Sequence, residues 1–150
     1  QIGWHKPPGY FLACLTAQQK GESVGFVAHE PNQYVGHVKL VWRPYYPHFN
    51  AAGIPEIQDL NVLPIYRRQG IGTALISRCE SAALERTSII GIGVGLHPGY
   101  NNAQKLYSKL GYKLDGHGVY YETEPVVMGE SYPFDDELVI HFTKTLTVGS

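Results

Sequence analysis

The chain has little cysteine, no long apolar run and no excess of charge, and each shortage narrows what it can be. Only two cysteines, Cys14 and Cys79, occur in 150 residues. They stand in unlike contexts, which argues against a disulfide and for a reducing, cytoplasmic setting. No apolar stretch approaches the roughly 20 residues that span a bilayer, and no leader-like segment opens the sequence. The net charge is −1, without a basic run, so neither a nucleic-acid groove nor an anionic membrane surface is expected as a partner. The seven histidines show no tight ligand spacing, so no metal site is expected. Repeats and low-complexity tracts are absent. What remains is one domain over 1–150 by length, with 43% hydrophobic residues, enough to bury a core.

Against that background, "RRQGIGTALISRCE" (67–80) stands out. Gly70 and Gly72 open an apolar, helix-like run, and Arg67 and Arg68 precede them. Ile71, Ala74, Leu75, Cys79, Ala82 and Ala83 recur with helical spacing, so one face is buried. The opposite face is expected to carry Arg78, Glu80 and Ser81. First-turn amides have no partner inside a helix, and the macrodipole adds positive charge there. Phosphates commonly occupy such positions, and glycines let them approach the backbone closely. The alternative is that Gly70 merely ends a turn. A dinucleotide fingerprint is a weak match because Leu75 stands where a third glycine belongs, and a P-loop is excluded because no G-K-S/T follows.

The remaining pattern alternates strands and helices. Residues 9–22 read as a short amphipathic helix, with Phe11, Leu12, Leu15 and Ala17 inward and Gly21 closing it. Residues 23–30 and 34–42 form a hairpin. A proline-rich loop spans 43–55, and a strand over 56–64 runs into the glycine loop. A helix over 70–86, an apolar β run over 88–96, a helix over 102–110 with Gly111 as its C-cap and a strand over 137–146 follow. This order predicts an α/β fold with a mixed central sheet flanked by helices.

Two stretches, "LNVLPIYRRQGIGTAL" and "NNAQKLYSKLGYK", resemble the GNAT superfamily of acetyl-CoA-dependent N-acetyltransferases. The first carries R-x-x-G-x-G as Arg67, Gly70 and Gly72. The second ends a helix in L-Y-x-x-L-G-Y as Leu106, Tyr107, Leu110, Gly111 and Tyr112. The resemblance covers about residues 23–146 and implies a GNAT fold. It also implies acetyl transfer from acetyl-CoA to a primary amine of a small molecule or peptide, within a ternary complex, by a monomer or homodimer. Members usually begin with a strand and a helix before the hairpin, which residues 1–8 cannot supply. The front is therefore expected to be trimmed or reduced.

The resemblance also implies site residues. Coenzyme A pyrophosphate falls on the amides of Arg68, Gln69, Gly70, Ile71, Gly72 and Thr73, with Arg67 or Arg68 adding charge and Asn102 at the second helix. The pantetheine arm falls on the backbone of Leu60 and Val62, whose side chains are core in any case. Tyr107 matches the acid that protonates the leaving thiolate; otherwise it is a packed tyrosine. Strand period places Glu56, Gln58, Leu60 and Val62 on one face, and Glu56 stands where several members carry a base. A bulge would swap that parity, and Asp59 or water are the other candidates for the base. Tyr46 and His48, in the 43–55 loop, either line the acceptor site or pack on the sheet. Asp135 and Asp136 either attract a cationic amine or form a turn. A protein of this fold that binds coenzyme A without catalysis is the alternative function.

Overall fold

The computed structural model describes residues 17–18 and 21–148. The strands are β1 (Ala17–Gln18), β2 (Ser23–Glu30), β3 (Gln33–Val41), β4 (Glu56–Val62), β5 (Ile89–Gly95), β6 (Lys113–Leu114), β7 (Tyr120–Tyr121), β8 (Glu124–Pro125) and β9 (Leu138–Thr145). The helices are α1 (Pro47–Ala52), α2 (Ile71–Leu84) and α3 (Asn101–Lys109). All strands join one sheet in the order β1-β2-β3-β4-β5-β9-β7-β8, with β6 also on β9. β4 and β5 pair in parallel; every other pair is antiparallel. A parallel pair needs a long crossover, and α2 supplies it.

Alternation along the strands divides the protein into two layers. On one face Val38, Leu40, Ile57, Ile90, Ile92 and Val94 pack against Ile71, Leu75, Ile76, Cys79 and Ala83 of α2. On the other face Tyr46, Phe49 and Tyr120 form a smaller aromatic cluster. The buried stripe of α2 matches the expected spacing and adds Ile76. Glu80 does not face solvent as expected. It accepts hydrogen bonds from the Tyr112 hydroxyl (2.8 Å) and Lys144 Nζ (3.0 Å), tying α2 to the far strands. Cys79 is a fully buried free thiol, and burial pushes its pKa up to about 12.

The structure departs from the sequence expectation at the front and in the middle. Ala17 and Gln18 pair with Gly25 and Val24 as a short strand, outermost among the described residues. The helix expected over 9–22 therefore does not extend through them, and a strand does precede the hairpin. Phe11, Leu12 and Leu15 lie outside the described residues. The 43–55 loop contains α1. Pro47 sits in its first turn, and Gly53 ends it at φ 70° with its amide on the Phe49–Asn50 carbonyl region. Proline at a helix start and glycine just past its end are the expected punctuation; only the shortness of the helix hid it. The two-residue strands β6, β7 and β8 carry no pattern to read.

Candidate active site

The site forms where the sheet opens. β4 and β5 pair only at Glu56–Gly91 and Ile57–Ile92, then part. β4 is also bulged against β3: Lys39 pairs with Gln58, but His37 pairs with Asn61. Asp59 takes φ 57° at that point, an uncommon conformation for a residue with a side chain. The bulge flips the parity. Ile57, Leu60 and Val62 face the α2 layer, while Glu56 and Gln58 share the opposite face, joined by a hydrogen bond from Gln58 Nε2 to Glu56 Oε1 (3.2 Å). The expectation that Glu56, Gln58, Leu60 and Val62 share one face is thereby corrected. Asp59 points outward to Lys39 Nζ at 3.4 Å. The Leu63 amide donates to the Val35 carbonyl (2.8 Å). By strand alternation the backbone polar groups of Val62, and of Leu60 two residues back, turn away from β3 toward the opening.

Glu56 is 9% exposed. Burial raises its carboxyl from 4.5 to about 7, the Gln58 hydrogen bond working the other way. Across the opening, β5 presents Gly91, Gly93 and Gly95 on this same face. A Cβ at Gly91 would stand 2.3 Å from the Phe49 ring, and one at Gly95 2.3 Å from the Tyr100 ring. At Gly93 the neighbours are polar: His141 Nε2 at 3.1 Å and Glu56 Oε2 at 3.2 Å. His141 is Gly93's cross-strand partner. It is buried, lies flat on Tyr46 with 3.5 Å between ring centroids, and its Nδ1 has no hydrogen-bond partner among the described residues. Burial, with His48 nearby, lowers its pKa to about 4 against the pull of Asp115. His141 is the polar residue that the sequence reading did not select; the available signal was a histidine alternating in an apolar strand opposite a glycine stripe.

The glycine loop lies at the far end of β4. Arg67 is extended and donates Nε to the Val62 carbonyl (2.9 Å). Arg68 is left-handed at φ 64°, and Gln69 Nε2 reaches the Ile65 carbonyl at 3.4 Å. Gly70 is the N-cap of α2 at φ 84°, with no side-chain cap on the helix and no acidic residue in its first turn. It therefore starts the helix rather than merely ending a turn. Ile71 is buried, Gly72 is half-buried and Thr73 exposed. The first-turn amides thus keep donor capacity and positive field for an anion. These features fit a bound diphosphate.

On α3, Asn102 is exposed in the first turn. Tyr107 is buried, and burial raises its phenol to about 12. Tyr46 is core: it is 4% exposed, and its hydroxyl donates to Asp115 Oδ2 (2.6 Å). It borders the site as the ring stacked under His141. His48 is half-buried, hydrogen-bonded through Nε2 to the Tyr120 hydroxyl (2.8 Å) and stacked on exposed His117 at 3.5 Å. Asp135 accepts from the Tyr121 hydroxyl and the Glu137 amide, and Asp136 pairs with His97 at 2.5 Å. Both carboxylates therefore have partners within the protein. Among the described residues, no three His, Cys, Asp or Glu side chains converge as metal ligands, and no helix is long and apolar enough to cross a membrane.

Known proteins share this fold. A family model described as "Acetyltransferase (GNAT) domain" matches residues 14–114. An uncharacterized N-acetyltransferase of Archaeoglobus fulgidus is 35% identical over 72 residues, 48% of this chain and 41% of that protein. The match thus spans well under half of that relative. A GNAT family acetyltransferase from Elizabethkingia anophelis, with acetyl-CoA bound, superposes with TM-score 0.61 at 19% identity, over 83% of this chain and 77% of that one. Aminoglycoside 6'-acetyltransferase type Ii does so with TM-score 0.56 at 25% identity, over 83% and 69%. The structural likeness carries the fold, and the family model, covering more than half of the residues, carries the membership: the chain belongs to the GNAT family of acetyltransferases.

Proposed function

We propose that this protein transfers an acetyl group from acetyl-CoA to a primary amine of a small molecule or peptide, by direct attack in a ternary complex. The observation that carries this reading is Glu56: a buried carboxyl with a pKa of about 7, standing where β4 and β5 part. A carboxyl poised near the working pH serves as a general base. The amides of residues 68–73, with Arg67 and Arg68, would hold the pyrophosphate, Asn102 would approach it from α3, and the backbone of Leu60 and Val62 would pair with the pantetheine arm. An amide there also suits a developing oxyanion.

In this scheme the Glu56 carboxylate takes one proton from the ammonium. The nitrogen attacks the thioester carbonyl carbon, and the carbon–sulfur bond breaks. The Tyr107 phenol donates to the leaving thiolate and regains a proton from the new amide nitrogen. Glu56 releases its proton to solvent, so one proton leaves per turnover. The Tyr107 pKa of about 12 lies above the roughly 8.5 of a free thiol. The phenol therefore stays protonated while charge develops on sulfur and gives up its proton late, as the amide nitrogen resupplies it. The reducing, cytoplasmic setting is part of the same proposal, supported by the buried free thiol of Cys79. The test is thiol release from acetyl-CoA against a panel of polyamines, amino acids, aminoglycosides and peptide N-termini. Amine-dependent release is expected. Coenzyme A binding without release for any amine would favour the non-catalytic alternative.

A further inference from the structure

We infer that Gly93, Glu56 and His141 form the subsite for the reacting amine: a slot floored by Gly93, with the nitrogen held between Glu56 Oε2 and His141 Nε2. This rests on the acetyl-transfer reading and adds to it a second group that binds the acceptor.

Three observations converge. The first is the glycine stripe. Missing side chains on β5 leave three vacancies on one face, and rings fill two of them, Phe49 over Gly91 and Tyr100 over Gly95. The middle vacancy is faced by heteroatoms instead, and Gly93 is half-buried where Gly91 and Gly95 are buried. The second is position. Ile92 is the last β5 residue paired with β4, so Gly93 stands at the mouth of the opening that the thioester would enter. The third is His141 itself. It is a buried imidazole whose Nε2 stands 3.1 Å from the Cβ position over Gly93, with Glu56 Oε2 3.2 Å from that same point, so two acceptors converge on one spot. The Tyr46 stack holds the ring flat, with Nε2 turned to the slot.

The chemistry fits a primary amine. An ammonium offers three N–H donors, and a carboxylate and a neutral imidazole offer acceptors. After Glu56 removes one proton, an N–H to His141 Nε2 still fixes the nitrogen, which leaves its lone pair free to face the thioester. Positioning of this kind contributes to rate by orienting reacting atoms.

The test uses the protein with coenzyme A bound, titrated with propylamine at millimolar concentration, the smallest probe that carries the reacting group. Imidazole nitrogen NMR follows His141, assigned by loss of its signals in His141→Phe, a variant that keeps the ring stacked on Tyr46. Propylamine is expected to shift the His141 Nε2 resonance in the native protein and not in Gly93→Ala, whose methyl fills the slot. With an acceptor found by thiol release, His141→Phe is expected to lose at least tenfold in kcat/KM for the amine, with the KM for acetyl-CoA unchanged. A shift without turnover for any amine would uphold the slot and reject acetyl transfer. Turnover with neither the shift nor the selective loss would reject the slot and leave acetyl transfer standing. Absence of both would reject both.

Discussion

Replacing Glu56 with Gln should make the protein more stable at alkaline pH while slowing it. Burial raises the folded carboxyl from 4.5 to about 7. A group raised on folding contributes its stability below its unfolded pKa and loses it as pH climbs through the folded value. The window is therefore pH 4.5 to 7. At about 1.4 kcal/mol per unit, ionising Glu56 inside the fold costs about 3 kcal/mol. Gln keeps the shape and cannot ionise. Between pH 4.5 and 8.5 the native protein should thus lose about 3 kcal/mol more than Glu56→Gln, roughly 6–12 °C in Tm for a chain of this size. Thermal unfolding followed by circular dichroism at constant ionic strength measures it, because all other groups titrate alike in both proteins. Parallel Tm–pH curves would refute the buried, penalised carboxylate. With one acceptor used for both proteins, the variant should bind acetyl-CoA normally, turn over slowly near neutral pH and recover at high pH, where more amine is already free. Parallel pH–rate profiles would reject Glu56 as base. Water would then be favoured, since Asp59 is exposed and paired with Lys39.

Three further outcomes are expected. Gly72→Val places its Cβ 3.8 Å from Leu106 Cδ2, an ordinary contact, while its methyls cover the first-turn amides. Calorimetric affinity for coenzyme A should fall more than tenfold with the fold kept, and an unchanged affinity would reject the loop as the pyrophosphate site. Tyr107→Phe should lower turnover within the roughly 10²- to 10⁴-fold range of a general acid with little change in acetyl-CoA binding; a loss below about threefold in steady-state assays would leave Tyr107 as packing. His141, lowered to about 4 mainly by burial, contributes stability above pH 6.5 that is lost as pH falls toward 4. Urea midpoints of native protein and His141→Phe should therefore diverge across that window, and equal slopes would argue against a buried neutral imidazole.

Local chemistry is what the sequence made legible. The hairpin, β4, α2, β5, α3 and β9 all lie within about two residues of where periodicity and glycine punctuation place them. Gly70 and Gly72 open α2 because a helix start needs no distant partner to define it. Features set by distant pairing were not legible. The bulge at Asp59 depends on how β3 meets β4, and it alone decides that Leu60 and Val62 share a face with Ile57 and not with Glu56. Glu80 looked like a solvated charge because Tyr112 and Lys144, which bind it, come from other elements. His141 joins Glu56 only through the β5–β9 register.

The glycine stripe allows stability and function to be separated one residue at a time. Gly91, Gly93 and Gly95 have the same side-chain direction on one strand, so alanine at each changes the backbone propensity alike. What the new methyl meets differs. At Gly91 and Gly95 it would stand 2.3 Å from the rings of Phe49 and Tyr100, inside any tolerable contact, so a ring must move. Such overpacking costs roughly 1–3 kcal/mol. At Gly93 the nearest atoms stand at 3.1–3.2 Å, and a few tenths of an ångström of movement admits the methyl. Gly91→Ala and Gly95→Ala should therefore lower Tm clearly, whereas Gly93→Ala should lower it little and lose amine turnover instead. Equal Tm losses in all three variants would show that the space over Gly93 is ordinary packing room.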